Sequence, residues 1–216
     1  SKIEVLMLPA DGDPSPAEVD AVLEAGRGHL RMVTLAPERP GAFEAIRRFV
    51  DAGVVVALGH TDAGPDDVRA AIDAGATHVT HLFNAMPPWR HRDPGPVPVL
   101  LAAAARGEVT LELIADGVHL ADETVMAVLD LVGPDAIVLV SDAAGGTGLG
   151  DGEHTLGGVR TRVRDGVSRV VRPDGADGPI AGGCRALPQT AARLEPLLGA
   201  EVVRVMSVAT PARVLG

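Results

Sequence analysis

At 216 residues the chain can bury one sizeable core but not two ordinary α/β domains. Hydrophobic residues make up 46% and aromatics only 2%, so Val, Leu, Ile and Ala must fill the core, as in a parallel sheet covered by helices. A formal net charge of -10 without a basic stripe argues against nucleic acid, and the single cysteine, Cys184, excludes an internal disulfide and fits a reducing cytoplasm.

The chain starts at Ser1 rather than Met, so a processed chain or part of a longer one is expected. No apolar run reaches the roughly 18 residues of a membrane-spanning helix, which argues against a membrane partner. In chain order, strands are expected at residues 3–8, 32–35, 54–58, 78–82, 111–114 and 137–140, and helices at 16–26, 40–52, 65–74, 97–105 and 122–132. Several of these helices carry Pro or Asp in the first turn, where free N–H groups and the helix dipole favour them. Strict alternation of strand and helix means repeated βαβ units. So many in a row favour an α/β fold of the (β/α) barrel type, as a single domain over residues 1–216. Residues 153–174 break the rhythm. Segments 161–163 and 167–171, joined through Arg164, Asp165 and Gly166, read as a small β-hairpin insertion packing near the site. After it, residues 185–198 and 202–208 are expected to be helical, and Pro211 starts a last short turn.

Each apolar strand candidate is followed at once by a polar cluster: Ala-Pro-Glu at 36–38, Gly-His-Thr-Asp at 59–62 and His-Leu-Phe-Asn at 81–84. Ala-Asp-Gly-Val-His at 115–119 and Ser-Asp-Ala at 141–143 continue the series. In a barrel these ends converge on one mouth, where catalytic groups from different strands meet. His60 and His81, on adjacent strands, are candidate ligands of one divalent ion, although a lone strand-end His is more often a hydrogen-bonded structural residue. Asp142 fits as a ligand, as the base that takes a proton from water, or as an Asx turn after its strand. His119 is a candidate substrate contact, with a structural hydrogen bond as the close alternative, and Asp116 is expected to order its turn. His78 is expected to be structural. Arg92 is the candidate anion binder, or else a surface partner of Asp93.

These residues resemble a known family, the N-acetylglucosamine-6-phosphate deacetylases of the amidohydrolase superfamily. The resemblance rests on Val-Thr-Leu-Ala-Pro-Glu (33–38), Gly-His-Thr-Asp-Ala (59–63), Thr-His-Leu-Phe-Asn-Ala-Met (80–86) and Arg-Asp-Pro-Gly (92–95). It continues through Ile-Ala-Asp-Gly-Val-His-Leu (114–120), Val-Ser-Asp-Ala (140–143), Ile-Ala-Gly (180–182) and Ala-Thr-Pro-Ala-Arg-Val-Leu-Gly (209–216), in family order. It implies a TIM-type amidohydrolase barrel lacking its N-terminal part, and hydrolysis of the N-acetyl group of N-acetylglucosamine 6-phosphate to the amine and acetate. It also implies a divalent metal, zinc or iron, held by His60 and His81, with Asp142 as the catalytic aspartate. By the same resemblance Asn84, Ala85, Arg92 and His119 contact the amino-sugar phosphate, and Ile180, Ala181 and Gly182 form a loop that closes over it. A homodimer is implied, with Arg92 reaching across the interface.

The chain also departs from the family. The first strands with their His-x-His are absent, as are the Glu-Gly-Pro that supplies the metal's carboxylate and the Gly-x-His after it. Glu4 and Glu38 are the candidates to replace that carboxylate. Gly183 and Cys184 stand where the family has Ser and a small polar residue. The alternative reading is an impaired homologue or fragment that binds a sugar phosphate or a partner chain without turnover. A different amidohydrolase, such as a deaminase or cyclic amidase, fits less well with the Asn84-Ala85-Met86 run and the Arg92 loop.

Overall fold

The computed structural model describes residues 4–7, 13–143, 146–156 and 158–216. Its first part alternates strand and helix: β1 (Glu4–Met7), α1 (Pro16–Ala25), β2 (Leu30–Leu35), α2 (Ala42–Asp51), β3 (Val55–Leu58), α3 (Pro65–Asp73), β4 (His78–Val79), α4 (Val97–Ala105), β5 (Thr110–Leu113), α5 (Asp122–Val132) and β6 (Ile137–Leu139). The expected ends Ile3 and Leu8 of the first strand lie outside the described residues, as does the side chain of Glu4.

Local chemistry sets these elements. Ser15 caps α1, its hydroxyl accepting the Glu18 N–H while the Glu18 carboxylate accepts the Ser15 N–H. Pro65 opens α3, where the Asp67 carboxylate accepts the Gly64 N–H. In α2, Ala42, Ala45, Ile46 and Phe49 recur at helical spacing and are all buried.

The six strands form one parallel sheet in sequence order, β1 to β6. Alternation along the strands divides its faces. Val33, Leu35, Val56, Leu58, Leu111, Leu113 and Ile137 join Ile46, Phe49, Val68, Leu100 and Val125 of the helices in one apolar core. The residues between them are more polar and bond to one another: Thr34 to Thr80 at 2.8 Å, and His78 to Thr110 at 2.6 Å. The structural reading of His78 agrees with its burial there.

The interruption at 153–174 is larger than a hairpin. Strands β7 (Gly152–Leu156), β8 (Val159–Arg164), β9 (Val167–Val171) and β10 (Asp177–Gly183) form a four-stranded antiparallel sheet in the order β10-β9-β8-β7. The expected turn joins β8 to β9 through Asp165 and Gly166, both at positive φ (52° and 73°), as a two-residue hairpin turn of the right twist requires. The flanking strands escaped the sequence reading because Gly-Glu-His-Thr-Leu and Asp-Gly-Pro-Ile-Ala-Gly-Gly lack β-branched periodicity. The chain ends in α6 (Leu187–Leu198), α7 (Ala200–Arg204), a π-helical turn (Val205–Ala209) and α8 (Thr210–Leu215). Among the described residues no helix is long and apolar enough to cross a membrane.

Candidate active site

The candidate side chains follow the C-terminal ends of the parallel strands: Glu38 after β2, His60 after β3, His81 after β4, His119 after β5 and Asp142 after β6. Ligand sites of parallel sheets collect at this end.

Two histidines meet because Gly59 lets two strand ends touch. A Cβ at Gly59 would lie 2.7 Å from the Thr80 Cβ, so only glycine permits the approach. His60 then turns to φ 49° and His81 to φ 30°, a left-handed conformation that costs non-glycine residues. The Thr61 N–H donates to the Ala85 carbonyl at 3.0 Å and ties the two turns together. His81 Nε2 ends 2.9 Å from His60 Nδ1. Burial lowers the pKa of His60, and the neighbouring His81 lowers it further, with Asp142 opposing in part. The neutral imidazole, the form that ligates metals, is thereby favoured. His81 Nδ1 is buried with no hydrogen-bond partner among the described residues.

Three carboxylates are spent on the turns that carry these rings. Glu38 accepts the Thr61 hydroxyl and, at 2.8 Å, the Asp62 N–H. Glu112, in β5, accepts the His81 N–H at 3.1 Å. Asp116 accepts the Val118 and His119 N–H groups at 2.9 and 2.8 Å and lies 2.9 Å from His119 Nδ1, so it orders the turn as expected and orients the ring too. Arg193 of α6 braces this segment, donating to the Ala115 carbonyl at 2.9 Å and to Asp122 at 2.7 Å.

Asp142 also sits at positive φ, 44°. The Gly183 N–H donates to its carbonyl at 2.7 Å, and a Cβ at Gly183 would overlap the Ser141 carbonyl oxygen. Glycine at this position therefore lets β10 lie directly on the Asp142 turn, and the antiparallel sheet closes one side of the site.

The result is a cleft of 510 Å³ lined by His60, His81, Asn84, Ala85, His119 and Asp142 from the parallel sheet and by Val159, Thr161, Ile180, Ala181 and Gly182 from the antiparallel one. A larger concavity of 780 Å³ lies between α3 and α4 beneath Trp89, but it contains no histidine. Ile180, Ala181 and Gly182 belong to strand β10, not to a loop. Arg92 is exposed and outside the cleft, with its guanidinium 2.8 Å from His91 Nε2. The sequence reading missed Glu112, Val159 and Thr161. Glu112 had a signal, a charged residue inside the otherwise apolar strand Val-Thr-Leu-Glu-Leu-Ile.

Among the described residues no three His, Cys, Asp or Glu side chains cluster as a complete metal site. Two imidazoles with touching nitrogens, one with its pKa lowered by burial and the other with a buried unpartnered nitrogen, fit two positions of a divalent ion. Glu38 does not join them in a three-residue cluster, and its two oxygens hold the His60 turn.

No protein-family model matches the chain. It is 36% identical to N-acetylgalactosamine-6-phosphate deacetylase of Escherichia coli O157:H7, over 93% of this chain and 51% of that protein. It is 38% identical to N-acetylglucosamine-6-phosphate deacetylase of Bacillus subtilis, over 74% of this chain and 38% of the relative. The chain is related to the amino-sugar-phosphate deacetylases. It spans about half the length of the curated relatives it matches over most of its own length. Among solved structures, N-acetyl-D-glucosamine-6-phosphate deacetylase from Mycobacterium smegmatis, a mutant in complex with N-acetyl-D-glucosamine-6-phosphate, superposes with a TM-score of 0.87 at 43% identity. That match covers 95% of this chain and 54% of the other. The Thermotoga maritima deacetylase gives 0.86 at 28% identity, over 99% of this chain and 60% of its own.

Proposed function

We propose that this chain carries the greater part of an active site that hydrolyses the N-acetyl group of an N-acetylhexosamine 6-phosphate, N-acetylglucosamine 6-phosphate first. The carrying observation is that His60, His81 and Asp142, each on a strained turn of positive φ, line one cleft with the two imidazoles in contact. On this reading the six-stranded parallel sheet is the major arc of a TIM-type amidohydrolase barrel, and residues 1–216 form one domain carrying the antiparallel sheet as its insertion. A reducing, cytoplasmic setting agrees with the single Cys184.

His60 and His81 would hold a divalent metal, zinc or iron, whose chemistry there is to polarise the acetyl carbonyl and lower the pKa of water. Asp142 accepts the proton of the attacking water through its carboxylate. It delivers that proton to the amide nitrogen as the carbon–nitrogen bond breaks, because an amide anion cannot leave at neutral pH. Water's oxygen ends in acetate, the nitrogen leaves as the amine, and the aspartate is restored. His119, oriented by Asp116, and Asn84 and Ala85 hold the sugar phosphate in the cleft, against the wall of Ile180, Ala181 and Gly182. Arg92 stands outside its own chain's cleft, which fits a phosphate contact made in the site of a second copy, and so a homodimer.

Metal content by elemental analysis and acetate release from N-acetylglucosamine 6-phosphate test this reading, on the native protein and on Asp142→Asn. The expected result is bound metal and a turnover that the variant loses by about 10²-fold or more. Metal-free protein with no acetate release would favour the non-catalytic reading instead.

A further inference from the structure

We propose that Glu112 is a positioning residue that holds His81 in its ligating orientation, a role that rests on the reading of His81 as a metal donor. In β5, Leu111 and Leu113 enter the apolar core, so alternation sends Glu112 to the opposite face of the sheet. A carboxylate on that largely buried face is costly unless its oxygens are hydrogen-bonded, and both are. One accepts the His81 N–H at 3.1 Å, and the other lies 3.1 Å from His78 Nε2. His78 Nδ1 lies 2.6 Å from the Thr110 hydroxyl, completing a line of bonds from β5 through β4 and back to the His81 turn.

The need for such a clamp follows from the ladder. Strand β4 pairs with its neighbours only through His78 and Val79, so regular strand bonding ends before His81. Beyond that point Glu112 bonds two successive N–H groups, His81 through its side chain and Leu82 through its backbone carbonyl at 2.9 Å. His81 is held at φ 30°, and a strained conformation persists only where its surroundings over-determine it. With the Glu112 oxygen as acceptor, a neutral His78 donates from Nε2 and accepts the Thr110 hydroxyl at Nδ1. Glutamine at 112 could keep the geometry: its oxygen accepts from His81, its amide donates to His78, and Thr110 reverses its role.

The test compares native protein with Glu112→Leu and Glu112→Gln. Two readouts are taken, zinc affinity by chelator competition and hydrogen exchange of the His81 amide, with thermal stability measured in parallel. Glu112→Leu is expected to weaken zinc about 10–100-fold, the usual effect of removing a ligand's support. It should also speed His81 exchange about tenfold or more, as loss of a charge-assisted hydrogen bond implies. Glu112→Gln, which keeps a neutral acceptor for the His81 N–H, should recover most of both, whatever its melting temperature. Should Glu112→Leu not fold, His78→Leu, which strips Glu112 of its second partner, must loosen the His81 amide in the same direction. An unchanged His81 amide in the folded variant, or a glutamine variant as impaired as leucine, would overturn the proposal. Native protein that binds no zinc while its His81 amide still depends on Glu112 would instead defeat the metal reading and leave the positioning role standing.

Discussion

The charge of Asp116 is set by the turn it shares with His119. Burial works to raise the Asp116 carboxyl, but the His119 ring and the N–H groups of His119 and Val118 outweigh it and hold the pKa at about 2, below the ordinary 3.8. A depressed carboxylate stabilises the fold fully above its unfolded pKa, and that contribution fades as pH falls from about 4 towards about 2. Urea unfolding across this range should show native protein losing stability that Asp116→Asn does not lose. At pH 7 the variant should be less stable by about 1.5–3 kcal/mol, the usual worth of hydrogen bonds to a charged group. A single sequence could mark His60, His81 and Asp142, because polar clusters rich in His and Asp follow one apolar strand candidate after another. It could not show that all three adopt positive φ, since that strain comes from tertiary contacts such as Gly59 against Thr80.

At the scale of elements, β10 does two jobs. It walls the cleft with Ile180, Ala181 and Gly182, and its last residue, Gly183, bonds the Asp142 backbone. Gly183→Ala is expected to cost roughly 1–3 kcal/mol, as for other overpacked sites. The same change should depress turnover by displacing Asp142, whereas Gly166→Ala, strained at φ 73° in the distant hairpin turn, should cost about 1 kcal/mol and leave turnover unchanged. Denaturation midpoints and acetate release on the two variants separate the effects. The βα elements were readable because Pro or Asp in a first turn, as at Pro65 and Asp122, and apolar periodicity, as along α2, are local signals. β7 and β10 were not, because Gly-Glu-His-Thr-Leu has no apolar alternation and β10 has three glycines in seven residues, so both take their conformation from pairing with β8 and β9.

The whole molecule depends on one apolar layer between the parallel sheet and its helices. Phe49 is among the largest side chains fully buried there, and Phe49→Ala should lower stability by about 3–5 kcal/mol in equilibrium unfolding. Assembly is open to a complementation test. Asp142→Asn and Arg92→Ala should each be inactive alone, and activity should return on mixing if Arg92 serves the partner's cleft, because one site of each mixed dimer is then intact. Unmixed and mixed samples of equal inactivity would place Arg92 outside that role. Sequence could place Arg92 in a loop, but not outside its own cleft, since that depends on how residues 87–96 run after leaving the His81 turn.

The contact between Gly183 and the Asp142 turn also constrains redesign. If the cleft takes an acyl group as proposed, an engineer seeking to admit a bulkier one has two walls to carve, and they are not equivalent. Cutting back Ile180 or Ala181 disturbs the strand whose Gly183 bonds the Asp142 backbone, so on the proposed reading wider access would come with a misaimed base. Val159 and Thr161 line the same cleft from β8, which has no bond to that turn among the described residues. New acyl tolerance is therefore to be sought on β8, where the pocket can change shape while Asp142 stays in place.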